Sequence, residues 1–292
     1  MLRRMIILLA AAVVISSCGV SRNSANMTYP VIGPEIVYDG ILEERMYDCS
    51  VDGPARRRMY VYLPKDYYDG DERYPVLYLL HGARGNELSW ITKGNLLHDV
   101  DSLTSLSLMD RTIVVLPNVN QYNDERDFGK SRLKGTVESL FETDGMVEAA
   151  FMNDVVATVD SIYRTIPDKE HRAIAGLSVG AMQSMYISAN APEEFSYVGM
   201  FSSMVHPLLR KSEHSSFYKK LKRKLEVQFS EPPRMYSIMI GKADIYYLRM
   251  KCFSRFLRRK GYPFEMYVSR GGHQWYNWEA FACMFMQQLW RD

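Results

Sequence analysis

Short apolar runs alternate with amphipathic segments along most of this chain. Six runs of four or five residues are mainly apolar, which is typical of strands buried on both faces of a parallel sheet. They occupy residues 76–80, 113–116, 173–176, 197–201, 237–240 and 265–268. Two earlier segments, 38–48 and 56–63, have the alternation of a β-hairpin, with Met59, Val61 and Leu63 on one face.

Apolar residues recur at helical spacing between the strand-like runs. The predicted helices cover residues 96–106, 147–163, 179–190, 246–260 and 277–290. Strands that alternate with helices predict an α/β fold with a mostly parallel, doubly wound sheet flanked by helices. No internal repeat interrupts the alternation, so we expect one domain over residues 35–292.

The first residues have the pattern of an export signal rather than of a folded domain. Arg3 and Arg4 precede an apolar stretch at 5–15, which is too short for a typical transmembrane helix. The following residues, ending in Cys18, resemble a bacterial lipobox. We therefore expect a signal peptide at 1–17, lipidation of Cys18 and a tether over 18–34. Two or three acyl chains anchor a protein stably to a membrane.

This anchor predicts an exported bacterial lipoprotein on the periplasmic side of a Gram-negative envelope. The tether after Cys18 contains no acidic run, and this favours the periplasmic orientation. An ordinary secretory signal with an incidental cysteine is the alternative.

Composition and charge narrow the possible functions. The chain has 292 residues, of which 47% are hydrophobic and 24% charged, as expected for one large globular domain. Removing Arg3 and Arg4 from the 36 basic residues leaves 34, equal to the 34 acidic residues, so net charge gives no support for nucleic-acid binding.

The cysteines and histidines do not have the spacing of a metal site. Cys49, Cys252 and Cys283 remain after signal cleavage, and an odd number of cysteines allows at most one disulfide. Cys252 and Cys283 lie in helical patterns, where we expect buried, inert thiols. Neither a metal nor a cofactor is predicted.

Residues 173–181 are the most informative segment, because an apolar strand leads through a sharp turn into a helix. The turn has the pattern G-x-S-x-G, with Ser178 between Gly176 and Gly180. This pattern is the nucleophile elbow of α/β-hydrolases, in which a strained turn leaves little room for side chains around the serine. Such a pattern also occurs by chance, so a base, an acid and oxyanion donors are needed beside it.

The chain supplies an acid and a base in the order expected for this fold. Asp244 follows the apolar run 235–241, and His273 lies on a glycine-rich loop after the run 264–269. In α/β-hydrolases the nucleophile, the acid and the histidine follow one another along the chain. The histidine takes the serine proton during attack, and the carboxylate fixes the histidine tautomer.

Two backbone N–H groups are predicted to form the oxyanion hole. One belongs to Val179, the residue after the nucleophile. The other belongs to Ala83, on the loop after the strand at 76–80, and the side chain of His81 is expected to support this loop by hydrogen bonding. Each such donor contributes roughly 3–4 kcal/mol in the transition state.

These motifs resemble the esterase D and feruloyl esterase group of α/β-hydrolases, over about residues 35–292. That group includes S-formylglutathione hydrolases, acetyl xylan esterases and mycolyltransferases. Two departures are Val179, where the family usually has Met, and Ala181, where it has Gly. The segments that carry the resemblance are His81-Gly82, Gly176-Leu177-Ser178-Val179-Gly180, Gly241-Lys242-Ala243-Asp244 and Gly272-His273-Gln274-Trp275-Tyr276-Asn277-Trp278.

The resemblance implies a serine esterase that removes an acyl group, acetyl or feruloyl, from carbohydrate. The residues alone indicate only acyl transfer, so hydrolysis of S-formylglutathione or of a siderophore ester and mycolyl transfer remain alternatives. A non-catalytic binding protein on a hydrolase scaffold is the alternative from another class. The expected partners are a small-molecule or polysaccharide ester and, through Cys18, a membrane.

Residues outside the triad are candidates for substrate binding. Trp275 is predicted to offer a flat face to a sugar or aryl ring, whereas Trp278 is predicted to pack beneath the histidine loop. Tyr122 lies on the long segment 118–144, which follows a strand and is predicted to form a substrate-binding rim. A plain surface loop is the alternative for that segment.

A second long segment, 206–232, precedes the acid-bearing strand. His206 follows a strand end and is predicted to border the pocket. Further along, 219–224 is densely basic, and Phe217, Leu221 and Leu225 have the spacing of one buried helical stripe. A solvated basic face explains this run, and contact with an anionic polymer or lipid headgroups is the alternative.

Overall fold

One mixed sheet of eight strands forms the centre of the computed structural model, which describes residues 39–50, 56–120, 145–204 and 213–291. The strand order is β1-β2-β4-β3-β5-β6-β7-β8. Neighbours are antiparallel in β1–β2 and β2–β4 and parallel in every other pair. The strands are β1 Ile41–Asp48, β2 Arg56–Leu63, β3 Val76–Leu80, β4 Ile113–Pro117, β5 Arg172–Leu177, β6 Tyr197–Phe201, β7 Met235–Gly241 and β8 Glu265–Ser269.

Helices cover both faces of this sheet, as the alternating pattern predicts. A π-helical turn, Met152–Val156, joins α3 to α4 where the sequence predicts one continuous helix. The α-helices are α1 Ser89–Gly94, α2 Leu96–Ser105, α3 Met146–Phe151, α4 Ala157–Ile162, α5 Val179–Asn190, α6 Leu221–Gln228, α7 Tyr247–Lys260 and α8 Trp275–Met286. Short 3₁₀ helices are Tyr67–Asp69, Lys169–His171 and Glu213–Tyr218.

The sheet separates two hydrophobic cores. Along β3, Val76, Tyr78 and Leu80 face one core, whereas Leu77 and Leu79 face the other. Burying a side chain of this size stabilises the fold by about 1.5–3 kcal/mol, so strands covered on both sides are apolar at every position. Within the described residues, none of the helices combines the length and apolar composition that a membrane crossing requires.

Helix α1 was not predicted, because six residues are too few to show a helical period. It carries Trp90, which is buried and donates its indole N–H to the carbonyl oxygen of Leu80 at 3.1 Å. This hydrogen bond fixes α1 against the end of β3, beside the loop that begins at His81.

The prediction that Cys252 is buried is wrong, whereas Cys283 is buried as predicted. Helix α7 buries Met250, Phe253 and Leu257, which recur at helical spacing along one face. Cys252 falls on the opposite face of that helix and is exposed.

The predicted stripe near residue 220 is divided between two elements. Phe217 lies in the 3₁₀ helix that ends at Tyr218, and Lys220 has a left-handed backbone, with φ of 58°, before α6 begins at Leu221. Phe217 and Leu221 still pack against the core, and Leu225 is fully buried. The spacing therefore predicted the buried contacts but not the break between the helices.

Candidate active site

Ser178 occupies a strained turn between β5 and α5. Its backbone has φ of 55° and ψ of −111°, a conformation that non-glycine residues rarely adopt. A Cβ atom on Gly180 would lie 2.3 Å from the carbonyl oxygen of His81, and one on Gly176 would lie 2.6 Å from the carbonyl carbon of Gly180. The two glycines therefore let the turn pack directly against the end of β3.

Ser178, His273 and Asp244 form one hydrogen-bonded chain. The Ser178 Oγ lies 3.0 Å from His273 Nε2, and His273 Nδ1 lies 2.9 Å from Asp244 Oδ2. These residues follow β5, β8 and β7 respectively, whose carboxyl ends share one edge of the sheet. The structure thus places together three side chains that are 95 and 29 positions apart in sequence.

The Asp244 carboxyl is held in its ionised form by hydrogen-bond donors. Burial by itself opposes ionisation, but the bonds from the His273 ring and from the Tyr246 N–H (2.8 Å) outweigh it. The pKa of Asp244 is therefore below its usual value. An ionised carboxylate at this position accepts the Nδ1–H bond and leaves the opposite ring nitrogen of His273 to face Ser178.

Two aromatic side chains enclose the His273 ring. Tyr246 and Trp278 both meet it edge to face, with ring centroids 5.2 and 4.9 Å away. Trp278 is buried in the core, as predicted. Trp275 is partly buried and packs edge to face on Trp90, with centroids 5.4 Å apart. Its predicted contact with a substrate ring remains a prediction.

The two predicted oxyanion donors belong to segments that adjoin Ser178. A Cβ atom on Gly82 would lie 3.3 Å from the Ser178 Cβ, so the loop that carries Ala83 passes directly beside the serine. Among the described residues the Ala83 N–H donates to no acceptor. Val179 is the first residue of α5, where a backbone N–H has no partner within its helix.

The buried His81 side chain ties its loop to the segment after β4. Its Nε2 accepts a hydrogen bond of 3.1 Å from the Val119 N–H, so Nδ1 carries the proton and donates to the Gly82 carbonyl oxygen at 2.8 Å. Burial lowers the pKa of His81, which keeps the ring neutral. These two hydrogen bonds support the loop, as predicted for His81.

Sequence reasoning missed a group of buried and partly buried polar residues behind this loop. Glu87 accepts a 2.8 Å bond from the Asn118 side chain and pairs with Arg58. Asn120 donates to the carbonyl oxygen of Gly85 at 2.6 Å. Gln183, on α5, is also buried. A polar residue within an otherwise apolar pattern was the only sequence signal for these residues. That they lie together depends on the fold.

Several predicted site residues lie outside the described part of the chain. They are Tyr122, His206 and Cys18, together with most of the segment 118–144. Within the described ranges, no group of three His, Cys, Asp or Glu side chains has the arrangement of a metal site.

A family model described as "Putative esterase" matches residues 52–283. Among curated proteins, an endo-1,4-beta-xylanase/feruloyl esterase from Xylanibacter ruminicola is 35% identical over 147 residues. This match covers 49% of the chain but only 19% of that relative, so the chain spans about one-fifth of the relative's length.

Solved structures share the fold at low sequence identity. A ferulic acid esterase superposes with a TM-score of 0.68 at 21% identity, covering 86% of this chain and 97% of the other. A ferulic acid esterase from the anaerobic fungus Anaeromyces mucronatus gives 0.66 at 22%, covering 92% and 97%. An S-formylglutathione hydrolase from Staphylococcus aureus gives 0.64 at 16%, covering 87% and 99%. The predicted α/β-hydrolase fold is confirmed.

Proposed function

We propose that this chain, which belongs to the family described as "Putative esterase", is a carboxylic ester hydrolase and that Ser178, His273 and Asp244 are its catalytic triad. The observation that carries this assignment is the continuous hydrogen-bonded chain of 3.0 and 2.9 Å that ends on a serine at a strained turn. That arrangement has the geometry required for a nucleophile, a general base and an orienting acid.

In the proposed reaction, Ser178 Oγ attacks the ester carbonyl carbon while His273 Nε2 takes the serine proton. Asp244 stabilises the imidazolium that forms. His273 then returns the proton to the leaving alcohol, and an acyl group remains on Ser178. A water molecule, activated by the same histidine, releases the acid and restores the serine.

The negative oxygen of each tetrahedral intermediate is assigned to the N–H groups of Ala83 and Val179. Backbone donors that are already fixed in position stabilise the transition state without reorganising. The departure of Val179 from the family pattern is compatible with this role, because the donor is a backbone group.

We propose acetyl or feruloyl esters of carbohydrate as the substrates. The curated relative named as a feruloyl esterase and the fold neighbours of the same name support the feruloyl assignment. The S-formylglutathione hydrolase among the neighbours has the same fold, so fold alone does not select the acyl group or the alcohol.

Labelling and a substrate panel test this proposal together. A fluorophosphonate probe is expected to label the wild-type protein at Ser178 and no other residue. Hydrolysis of p-nitrophenyl acetate, methyl ferulate and acetylated xylan then ranks the acyl group and the alcohol. A protein that neither labels nor hydrolyses any of them would be the binding protein on a hydrolase scaffold.

We also propose that Cys18 is lipidated after removal of residues 1–17 and holds the enzyme on the periplasmic side of the envelope. The basic pair Arg3 and Arg4, the apolar stretch 5–15 and the lipobox-like residues before Cys18 support this localisation.

Cys18→Ser is expected to release the protein from membranes, because acyl chains are the membrane-anchoring device that the sequence offers. Cell fractionation with radiolabelled palmitate measures both anchoring and acylation, and the wild-type chain is the control. Wild-type protein that is soluble and unlabelled would show that Cys18 is incidental and that residues 1–17 are a plain export signal.

A further inference from the structure

The two proposed oxyanion donors belong to different elements, so their separation depends on what connects those elements. Ala83 lies on the loop after β3, whereas Val179 begins α5. A displacement of about 1 Å in a catalytic group can lower a rate a hundredfold. The side chains that join the loop to the helix therefore control this separation; the inference rests on the proposed triad and oxyanion hole.

The loop side of this connection runs through the residues that follow β4. The Val119 N–H donates to His81 Nε2 at 3.1 Å, and the Asn120 side chain donates to the Gly85 carbonyl oxygen at 2.6 Å. Val119 is 4% exposed, so its bond to His81 is shielded from water. The segment 118–120 therefore moves with the loop that carries Ala83.

The helix side runs through Gln183, which lies one turn after Val179 on α5. Its Nε2 donates to the Val119 carbonyl oxygen at 3.2 Å and to Glu148 Oε1 at 2.8 Å. Glu148 belongs to α3 and also accepts from the Tyr218 hydroxyl at 2.5 Å. The backbone of Val119 is thus held on one side by His81 and on the other by Gln183.

The orientation of the Gln183 amide follows from its neighbours. Both groups near Nε2 are acceptors, a carbonyl oxygen and a carboxylate, so a flipped amide would place three oxygens together. The Gln183 Oε1 is buried and has no hydrogen-bond partner among the described residues. Leaving a buried acceptor unpaired destabilises the folded protein, so a glutamine here is not explained by stability alone.

We propose that Gln183 is a positioning residue for the oxyanion hole: it fixes α5, and with it the Val179 N–H, against the loop that presents the Ala83 N–H. The connection runs from Gly82 through His81, the backbone of Val119 and Gln183 to Glu148. Gln183 does not touch the substrate. It acts by holding the two donors at a constant separation.

Gln183→Met tests this role, because methionine has a similar length and lacks both donors. The expected result is a kcat for p-nitrophenyl acetate lowered about ten- to a hundredfold with little change in KM, because an oxyanion forms only in the transition state. The affinity for an aryl boronic acid, which forms a tetrahedral anion on serine, is expected to fall by the same factor as kcat/KM.

Gln228→Met is the matched control. Gln228 is 1% exposed, and both polar atoms of its amide lack hydrogen-bond partners within the described part of the chain, but it lies at the end of α6. The same substitution there is expected to leave kcat and boronate affinity unchanged. Should Gln183→Met fail to fold, Gln183→Ser, which admits water to the site, replaces it with the same expected direction and a smaller effect.

Two outcomes would overturn the inference while leaving the proposed function intact. One is a lower melting temperature for Gln183→Met with kcat and boronate affinity unchanged, which would make Gln183 purely structural. The other is an equal loss of kcat in Gln228→Met. If the wild-type protein neither hydrolyses the ester nor binds the boronate, the proposed function fails and the inference fails with it.

Discussion

Asp244 and Asp99 are both nearly inaccessible to solvent, at 6% and 2% exposure, yet their surroundings shift their pKa values in opposite directions. Asp244 accepts hydrogen bonds from the His273 ring and the Tyr246 N–H, and its pKa is lowered. The pKa of Asp99, on α2, is raised to about 6. Burial is the largest cause, and the nearby charge of Glu279 on α8 is the next.

The difference lies in the donors that each carboxyl receives. Asp99 has contacts with Asn95 and His98 at 3.4 and 3.6 Å, which are long for hydrogen bonds. The Cys283 thiol also donates to Asp99, but a thiol is a weak hydrogen-bond donor. Burial and the charge of Asp99 raise the pKa of this thiol. Burial therefore does not decide ionisation; short donors aimed at the carboxylate do.

The largest expected effect tests whether the chain of bonds from Asp244 ends on a nucleophile. Ser178→Ala is expected to lower the turnover of a small aryl ester on the order of a million-fold, because loss of a triad member removes covalent catalysis. Circular dichroism is expected to show an intact fold. Retention of more than about a tenth of the wild-type rate, with contaminants excluded, would falsify the assignment, since the remaining effects of binding are far smaller.

Asp244→Asn is expected to lower kcat on the order of ten thousand-fold, less than His273→Ala does, because an amide fits the space but favours the wrong histidine tautomer. Steady-state kinetics with p-nitrophenyl acetate measure both variants. A fully active Asp244→Asn enzyme would place the acid elsewhere, and Asp154 and Glu279 would then be tested by the same substitution to the amide.

Asp99→Asn is expected to leave catalysis intact and to stabilise the protein at alkaline pH. A carboxyl whose pKa is higher in the folded state holds its proton more tightly there, so wild-type stability falls as pH rises from about 4 to above 6. The Asp99→Asn variant lacks this loss of stability. Relative to the wild type, its free energy of unfolding is expected to be higher by about 1–3 kcal/mol at pH 8 and by much less at pH 4.5.

Urea unfolding at the two pH values measures this gain, and Asp244→Asn in the same experiment sharpens the comparison. Because the pKa of Asp244 is lower in the folded than in the unfolded state, its ionised carboxylate stabilises the fold at pH values above the unfolded-state pKa. That stabilisation disappears as the pH falls through the folded-state pKa. Its asparagine variant is therefore expected to be less stable than the wild type at pH 8. If both substitutions changed the free energy of unfolding at pH 8 in the same direction, the contrast between the two sites would be contradicted.

The pattern of residues predicted the sheet and the triad because both leave local signals. Strand β3 is buried and apolar at every position, and even β8, at the edge of the sheet with Glu265 exposed, keeps enough apolar residues to be predicted as a strand. The elbow needs glycine on both sides of Ser178, and the acid and the histidine each follow a strand in the order that the fold requires.

Other features became visible only when distant segments were brought together. A helix of six residues such as α1 shows no period, and the exposure of Cys252 depends on which face of α7 meets the core. The raised pKa of Asp99 depends on burial and on the charge of Glu279, which is on a helix near the other end of the chain.

The sequence by itself determined the order of the strands and of the longer helices, and the identity of the three residues in the hydrogen-bonded chain, because these depend on local periodicity and on short motifs. The tertiary structure alone decided the register that places Ser178 3.0 Å from His273, and the bonds by which Gln183 and His81 hold the backbone of Val119. Hydrogen bonds between segments depend on distance and direction in space, and a linear pattern contains neither.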